Sequence, residues 1–264
     1  MNCIDLIKQL DYKPNNKRRE IVIERLKELQ VEYWMQEYGT GINLIVDLGA
    51  VEKRIGISSH FDRIPETPGA NDNSSGMAVC IEIIKKFKEE MDPAIGLRIF
   101  FFDEEETGLK GSSAYVREYG VKDMVGLINF ELVGIGDKFA IWPVNPNSSG
   151  ALLEAFEHSA SSAMVEAIRF DKIVTNTADH LSFRKAGLSD AFTITCISDK
   201  EIEAAGRYYK AIQQGLDAAF LMEILAGTPA FENYHQPGDS YKKIKESSIL
   251  MTSSVVLDTI MNLG

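Results

Sequence analysis

The stretch FFDEEETGLKGSS (residues 101–113) decides how the chain is read. It completes a short apolar run, GLRIFFFD (96–103), with four successive acidic residues, Asp103 to Glu106. Apolar runs ordinarily end in turn residues, and packed like charges repel. A strongly apolar run of this length, bounded by turn signals, has the character of a buried central strand. The acids then stand at its carboxyl end. A solvated turn is the plain alternative, and the rest of the chain decides between the two.

Outward from this stretch, strands alternate with helices. Strands are expected at 41–48, 53–60, 96–103, 125–132, 138–144, 167–173 and 190–197. Helices are expected at 17–30, 75–91, 151–164, 201–226 and 245–263. In KRREIVIERLKELQ (17–30), Ile21, Ile23, Leu26 and Leu29 fall broadly on one side. Such alternation predicts an α/β fold, a three-layer α/β/α sandwich around a mixed, largely parallel sheet. No repeat, low-complexity tract or linker divides the 264 residues. One catalytic domain is expected, a helical segment over about 1–38 preceding a core over about 40–264.

The net charge of −11 argues against nucleic acid as a partner, because phosphate binding needs a basic face. The three cysteines, Cys3, Cys80 and Cys196, form neither a CxxC motif nor an even disulfide framework. The start MNCIDLIKQLDYKPNNKRRE lacks a signal-peptide pattern, and no run approaches 18 apolar residues. The expectation is therefore a cytoplasmic protein with no membrane partner. The sequence carries no signal for oligomeric state.

Sites in sheets of this class gather at the carboxyl ends of strands. The strand 53–60 ends in His60-Phe61-Asp62, and the loop PGANDNSSG (68–76) carries Asp72 just before a helix. The strand 96–103 ends in the acidic cluster, the strand 125–132 near Glu131, and NYHQPGDSY (233–241) brings His235 and Asp239. Imidazole and carboxylate from five segments suit two borderline cations, Zn²⁺ with Mn²⁺ or Co²⁺ as substitutes. A carboxylate such as Asp72 can bridge two ions, which together activate water and polarise a carbonyl. A further carboxylate outside the metal sphere would then carry the proton. Singly, each signal has a structural reading: HxD as a buried pair, GANDNSSG as a turn and helix cap. His158, alone in its helix, is given no role.

The set SSHFDRIPETPGANDNSSGMAVCIEI, RIFFFDEEETGLKGSSAYV, LINFELVG, TADHLSF and NYHQPGDS resembles the di-zinc aminopeptidase family, which also includes glutaminyl cyclases and glutamate carboxypeptidases. The resemblance spans about residues 40–262. It implies that His60, Asp72, Glu106, Glu131 and His235 hold two zinc ions, with Asp72 bridging. It implies that Asp62 orients His60 and that Asp239 supports His235 or its loop. The register Glu-Glu-x-Gly-Leu-x-Gly-Ser falls on Glu105 and Glu106, making Glu105 the general base and acid and Glu104 a bystander. Glu131 departs from the Asp usual in the family. In TADHLSF, Asp179 and His180 contact substrate or an oxyanion by resemblance; a helix start capped by Asp179 is the alternative. Tyr208, Tyr209, Phe220 and Met222 are given no role.

The function so implied is a metal-dependent exopeptidase acting on peptides, an aminopeptidase with Glu105 moving the proton. The alternatives are a one-zinc glutaminyl-peptide cyclotransferase and a binding relative without catalysis.

Overall fold

The computed structural model describes residues 2–49, 52–90, 96–171 and 177–263. Eight strands form one sheet: β1 (Trp34–Tyr38), β2 (Gly41–Leu48), β3 (Arg54–His60), β4 (Gly96–Phe102), β5 (Met124–Phe130), β6 (Lys138–Trp142), β7 (Ala167–Arg169) and β8 (Ala191–Ile197). Their order is β1-β2-β4-β3-β5-β8-β6-β7. The four central strands, β4-β3-β5-β8, run parallel. Antiparallel pairs join β1 to β2, β2 to β4 and β6 to β8, while β6 and β7 are parallel. The expected mixed, largely parallel sheet is therefore present.

Alternation along the strands sends side chains to two separate cores. Leu97, Ile99 and Phe101 of β4 join Ile55 and Ile57 of β3 in the larger core. Residues of α1 (Cys3–Leu10), α2 (Asn15–Glu28), α3 (Ser75–Glu90), α5 (Ala151–Ser162) and α9 (Glu246–Asn262) fill that layer. Phe100 and Phe102 face the other way, packing with Tyr115 of α4 (Lys110–Tyr119) and Phe183 of α6 (His180–Lys185). The rings of Phe100 and Phe102 stack 5.0 Å apart, and Tyr115 meets Phe100 edge-on at 4.7 Å. Helices cover both faces, which is why β4 is buried throughout and apolar but for Arg98. The result is the expected α/β/α sandwich.

Several elements differ from expectation. The helix expected over 201–226 is two, α7 (Asp199–Gln213) and α8 (Ala218–Ala226). Gly215 at φ 71° ends the first, and the Asp217 carboxylate accepts the Phe220 amide (2.9 Å) to begin the second. The strand expected over 167–173 ends at Arg169, and its positions 172 and 173 lie outside the described residues. Position 91 of the helix expected over 75–91 lies outside them too. The edge strand β1 and the helix α4 were not legible; α4 begins Lys-Gly-Ser-Ser, and Gly and Ser are weak helix formers. The helix α1 lies within the segment 1–38 expected to be helical, and α6 begins at the helix start given as the alternative for TADHLSF.

Because β4, β3 and β5 are parallel neighbours, their carboxyl ends emerge along one edge of the sheet. His60 ends β3, the acidic turn follows β4, and Glu131 follows β5. The loop carrying Asp72 joins β3 to α3.

Candidate metal centre

The two histidines approach Asp72 from opposite sides. His60 Nε2 lies 3.2 Å from Asp72 Oδ1 and 3.5 Å from Glu131 Oε2. His235 Nε2 lies 3.2 Å from Asp72 Oδ2 and 3.2 Å from Glu106 Oε2. Each carboxylate oxygen of Asp72 thus faces a different imidazole, and each imidazole faces one further glutamate. Among the described residues, His60, Asp72 and Glu106 form one cluster whose ligand atoms all lie within 4.8 Å of one another.

A supporting ring of hydrogen bonds fixes these groups. Asp62 Oδ1 lies 3.2 Å from His60 Nδ1, leaving Nε2 to face the carboxylates. The same Asp62 carboxylate accepts the backbone amides of Glu105 (3.1 Å) and Glu106 (3.0 Å). One buried side chain therefore orients the imidazole and fixes the acidic turn. The Asp239 carboxylate accepts the amides of Asn71 (2.7 Å) and Asp72 (3.1 Å). Asn73 and Asn129 donate to the two Glu131 oxygens, at 3.1 and 3.2 Å. The Tyr234 ring stacks on His235, centroids 3.8 Å apart.

The electrostatics follow from this crowding. Burial alone would depress the His60 imidazole, but Glu131, Asp62 and Asp72 hold it well above the usual value. His235, likewise opposed by burial, is pushed up to about 10 by Asp72 and Glu106. Burial raises Glu105 well above the ordinary carboxylate range against the opposing charge of His60, and Glu131, Asp179 and Glu106 add to the rise. The convergence of imidazole nitrogens on carboxylate oxygens calls for positive charge between them, as protons or as a metal ion. His235 Nε2 hydrogen-bonds neither of its oxygen neighbours, and the buried Glu106 Oε1 is unpartnered among the described residues. Buried unpaired nitrogen and oxygen atoms in a His/Asp/Glu set fit a borderline divalent cation.

The cleft over these groups, about 380 Å³, is lined by Asp72, Glu105, Glu106, Glu131 and Tyr234, with Leu132, Trp142 and Phe231 on its apolar side. Glu105 thus opens onto the same space as the ligand-type carboxylates. Glu104 turns away to Thr40 (2.7 Å) and Lys110 (3.3 Å). A second, largely apolar cavity adjoins this cleft, sharing Trp142, Thr195 and Phe231.

Asp179 and His180 are brought near but not into the cleft lining. Both are fully buried. His180 Nδ1 pairs with Thr193 Oγ1 at 2.6 Å, and its ring meets Trp142 edge-on at 5.3 Å. Burial first, then Arg184, lowers the His180 pKa to about 3. The Asp179 side chain makes no cap to α6, and burial raises its pKa to about 7. His158 is exposed on α5. Tyr208 and Tyr209, given no role from the sequence, line the apolar cavity. Sequence reasoning missed Asn73, Asn129, Trp142 and Tyr234. Asn73 stands beside Asp72 and Tyr234 beside His235, so adjacency to a ligand-type residue was the available signal.

The model for peptidase family M28 matches residues 43–260. The chain is 31% identical to the aminopeptidase YwaD of Bacillus subtilis over 168 residues, covering 61% of this chain and 36% of the relative. Among solved structures, a zinc aminopeptidase from Bacillus subtilis superposes with TM-score 0.64 at 21% identity, over 84% of this chain and 50% of that one. A glutaminyl cyclase from Porphyromonas gingivalis superposes with TM-score 0.74 at 16% identity, over 100% of this chain and 98% of that one. The chain spans little more than a third of the length of the curated relatives it matches first. Further relatives are a probable lipoprotein aminopeptidase of Mycobacterium tuberculosis (26% identical), mammalian endoplasmic reticulum metallopeptidases and yeast vacuolar membrane proteases. These relatives overturn the cytoplasmic placement expected from the sequence. Among the described residues, no helix is long and apolar enough to cross a membrane.

Proposed function

The chain belongs to peptidase family M28, and from that premise we propose that it is a metal-dependent exopeptidase, an aminopeptidase, hydrolysing peptides at a two-metal centre. The observation that carries this reading is the placement of Asp72, whose two oxygens each lie 3.2 Å from a different histidine. His60, Asp72 and Glu131 would hold one ion, and Asp72, Glu106 and His235 the other. When bound, such ions polarise a carbonyl and lower the pKa of water.

The chain's own residues supply the rest. Asp62 fixes the His60 ring and, through two amides, the turn that presents Glu105. Glu105, half-buried at the cleft wall, takes the proton from the attacking water and returns it to the leaving amine. Its raised pKa suits both halves of that task. The carboxylates around it attract the substrate's free ammonium group, which confines cleavage to the N-terminal bond. The apolar side of the cleft excludes water from the reacting carbonyl.

A second reading, a one-zinc glutaminyl-peptide cyclotransferase, has gained weight from the comparisons. In that reaction the substrate's amine attacks its own γ-carboxamide, the ring closes and ammonia leaves. The end-to-end correspondence with a glutaminyl cyclase fold and the one tight cluster among the described residues, His60, Asp72 and Glu106, favour it. The Asp72 arrangement favours the hydrolase.

The test is a panel of free-amine, N-acetylated and N-terminal-glutaminyl peptides offered to zinc-reconstituted protein and to Glu105→Gln. The expected result is cleavage of free-amine peptides alone, lost in the variant. Release of ammonia from glutaminyl peptides without cleavage of the others would establish the cyclotransferase instead.

A further inference from the structure

The helix α2 lies outside the span of the family match, which begins at residue 43. Its Arg18 is nevertheless the largest fully buried side chain among the described residues, with 0% exposure. Among the described residues it makes no ion pair with a carboxylate. Its guanidinium instead donates to backbone carbonyls: Nε to Phe61 O (2.5 Å), Nη1 to Leu10 O (3.3 Å) and Pro68 O (3.4 Å), and Nη2 to Gly69 O (3.3 Å). Nη2 also lies 3.6 Å from Met77 Sδ in α3.

The carbonyls it selects are not scattered. Phe61 sits between His60 and Asp62, and Gly69 opens the loop that carries Asp72. The neighbours of Arg18 on the same helix reach the third loop. Asn15 Nδ2 lies 3.4 Å from Asp103 Oδ1, and Arg19 Nη1 lies 3.8 Å from Asp103 Oδ2, at the root of the acidic turn. One turn of α2 therefore touches all three loops that present ligand-type residues from the β3 and β4 ends.

A guanidinium buried without a carboxylate partner is costly, and an apolar side chain of like volume would fill the space more cheaply. Burial and then Arg63 lower its pKa to about 10, and the charges of Asp62, Asp239 and Asp72 oppose that fall only in part. The planar fork with five donors can hold several carbonyls at fixed angles, which an ammonium cannot.

We propose that Arg18 is a positioning residue for the metal centre, setting the spacing of the His60–Asp62 strand end and the Asp72 loop so that their ligand atoms converge. The segment 1–38 is then part of the site and not an appendage to it. The proposal rests on the metal-centre reading of the cleft.

The test is zinc affinity, measured by competition with a colorimetric chelator at a temperature well below each variant's Tm. Wild type is compared with Arg18→Met, which removes the charge, and Arg18→Lys, which keeps the charge and loses the fork. Asp190→Asn serves as a distant control, because Asp190 accepts the Leu152 and Leu153 amides at the start of α5. The expected result is a loss of affinity of about tenfold or more in the Arg18 variants, while the control keeps wild-type affinity at a comparable fall in Tm. If Arg18→Met does not fold, Arg18→Lys carries the test. Wild-type affinity in either folded Arg18 variant, or an equal loss in the control, would overturn the inference alone. A wild-type protein that binds no zinc would overturn the metal-centre reading and this inference with it.

Discussion

Asp239 accepts the backbone amide of Asp72 at 3.1 Å across 167 residues of sequence. Its other oxygen holds the amide of Asn71 at 2.7 Å. The turn that follows His235 is thereby fastened to the loop that carries the carboxylate between the two histidines. Ligand-type residues far apart in the chain keep their spacing because one carboxylate holds both amides.

Replacing Asp239 with alanine strands both buried amides. Each unpaired donor costs about 1–3 kcal/mol, so a substantial fall in Tm is expected. Zinc affinity is expected to fall about 10–100-fold, as for other groups that orient metal ligands. Thermal melts of the apo-protein and chelator competition check the two effects. Unchanged affinity in Asp239→Ala would show that the Asp72 loop holds its position without this clamp.

The apolar cavity beside the cleft sets an expectation for substrate side chains. Its lining includes Ala140, Phe170, Ile197, Ala205 and Tyr208. Glu201, also at its wall, has its carboxylate engaged by the amides of Ser198 (2.7 Å) and Ala230 (2.8 Å). A charged side chain entering there would find no partner, whereas a bulky apolar one would bury its surface. Peptides with N-terminal Leu or Phe are expected to have higher kcat/KM than those with Lys or Glu. Ala205→Trp, by filling the cavity, is expected to lower kcat/KM for the Leu and Phe peptides by about 10–100-fold, with little change for Ala. Equal losses across the panel would remove the cavity from substrate recognition.

His180 gives the fold a pH dependence whose sign follows from its burial. Its folded pKa is lowered to about 3, against 6.5 for an exposed imidazole. Between those values the unfolded chain binds a proton that the native state refuses. Stability therefore rises with pH through this window and is lost as pH falls, by up to about 5 kcal/mol at pH 3. Denaturant melts of wild type and His180→Asn from pH 7 to 4 isolate the effect as a difference in slope. Parallel curves would show that the imidazole is protonated in the folded protein.

Much of this was legible in the sequence because two periodicities coincide with chemistry. The run Leu97 to Phe102 is apolar at every position but Arg98, since helices cover both sides of β4, and that marked it as central. Once β3, β4 and β5 are taken as parallel neighbours, His60, Glu105, Glu106 and Glu131 must emerge at one edge. What the sequence hid depends on contacts between distant segments. Arg18 reads as one more surface cation of the basic run KRRE, and nothing local shows that its guanidinium ends beneath Phe61 and Gly69. Asn73 and Asn129 read as turn and strand residues until their amides are seen on Glu131. The pair Asp179 and His180 was placed near substrate, but whether side chains reach a cleft or lie behind its wall depends on the rotation of the six-residue α6. The cytoplasmic expectation rested on an absent leader pattern, and the relatives show how little that absence determines.

We propose that Asp72 stands between two metal ions. The most direct measurement is the zinc content of the reconstituted, gel-filtered protein by elemental analysis, with protein determined by amino-acid analysis. Two zinc ions per chain are expected, falling to one in Glu131→Ala. One ion per chain in the wild-type protein would contradict it.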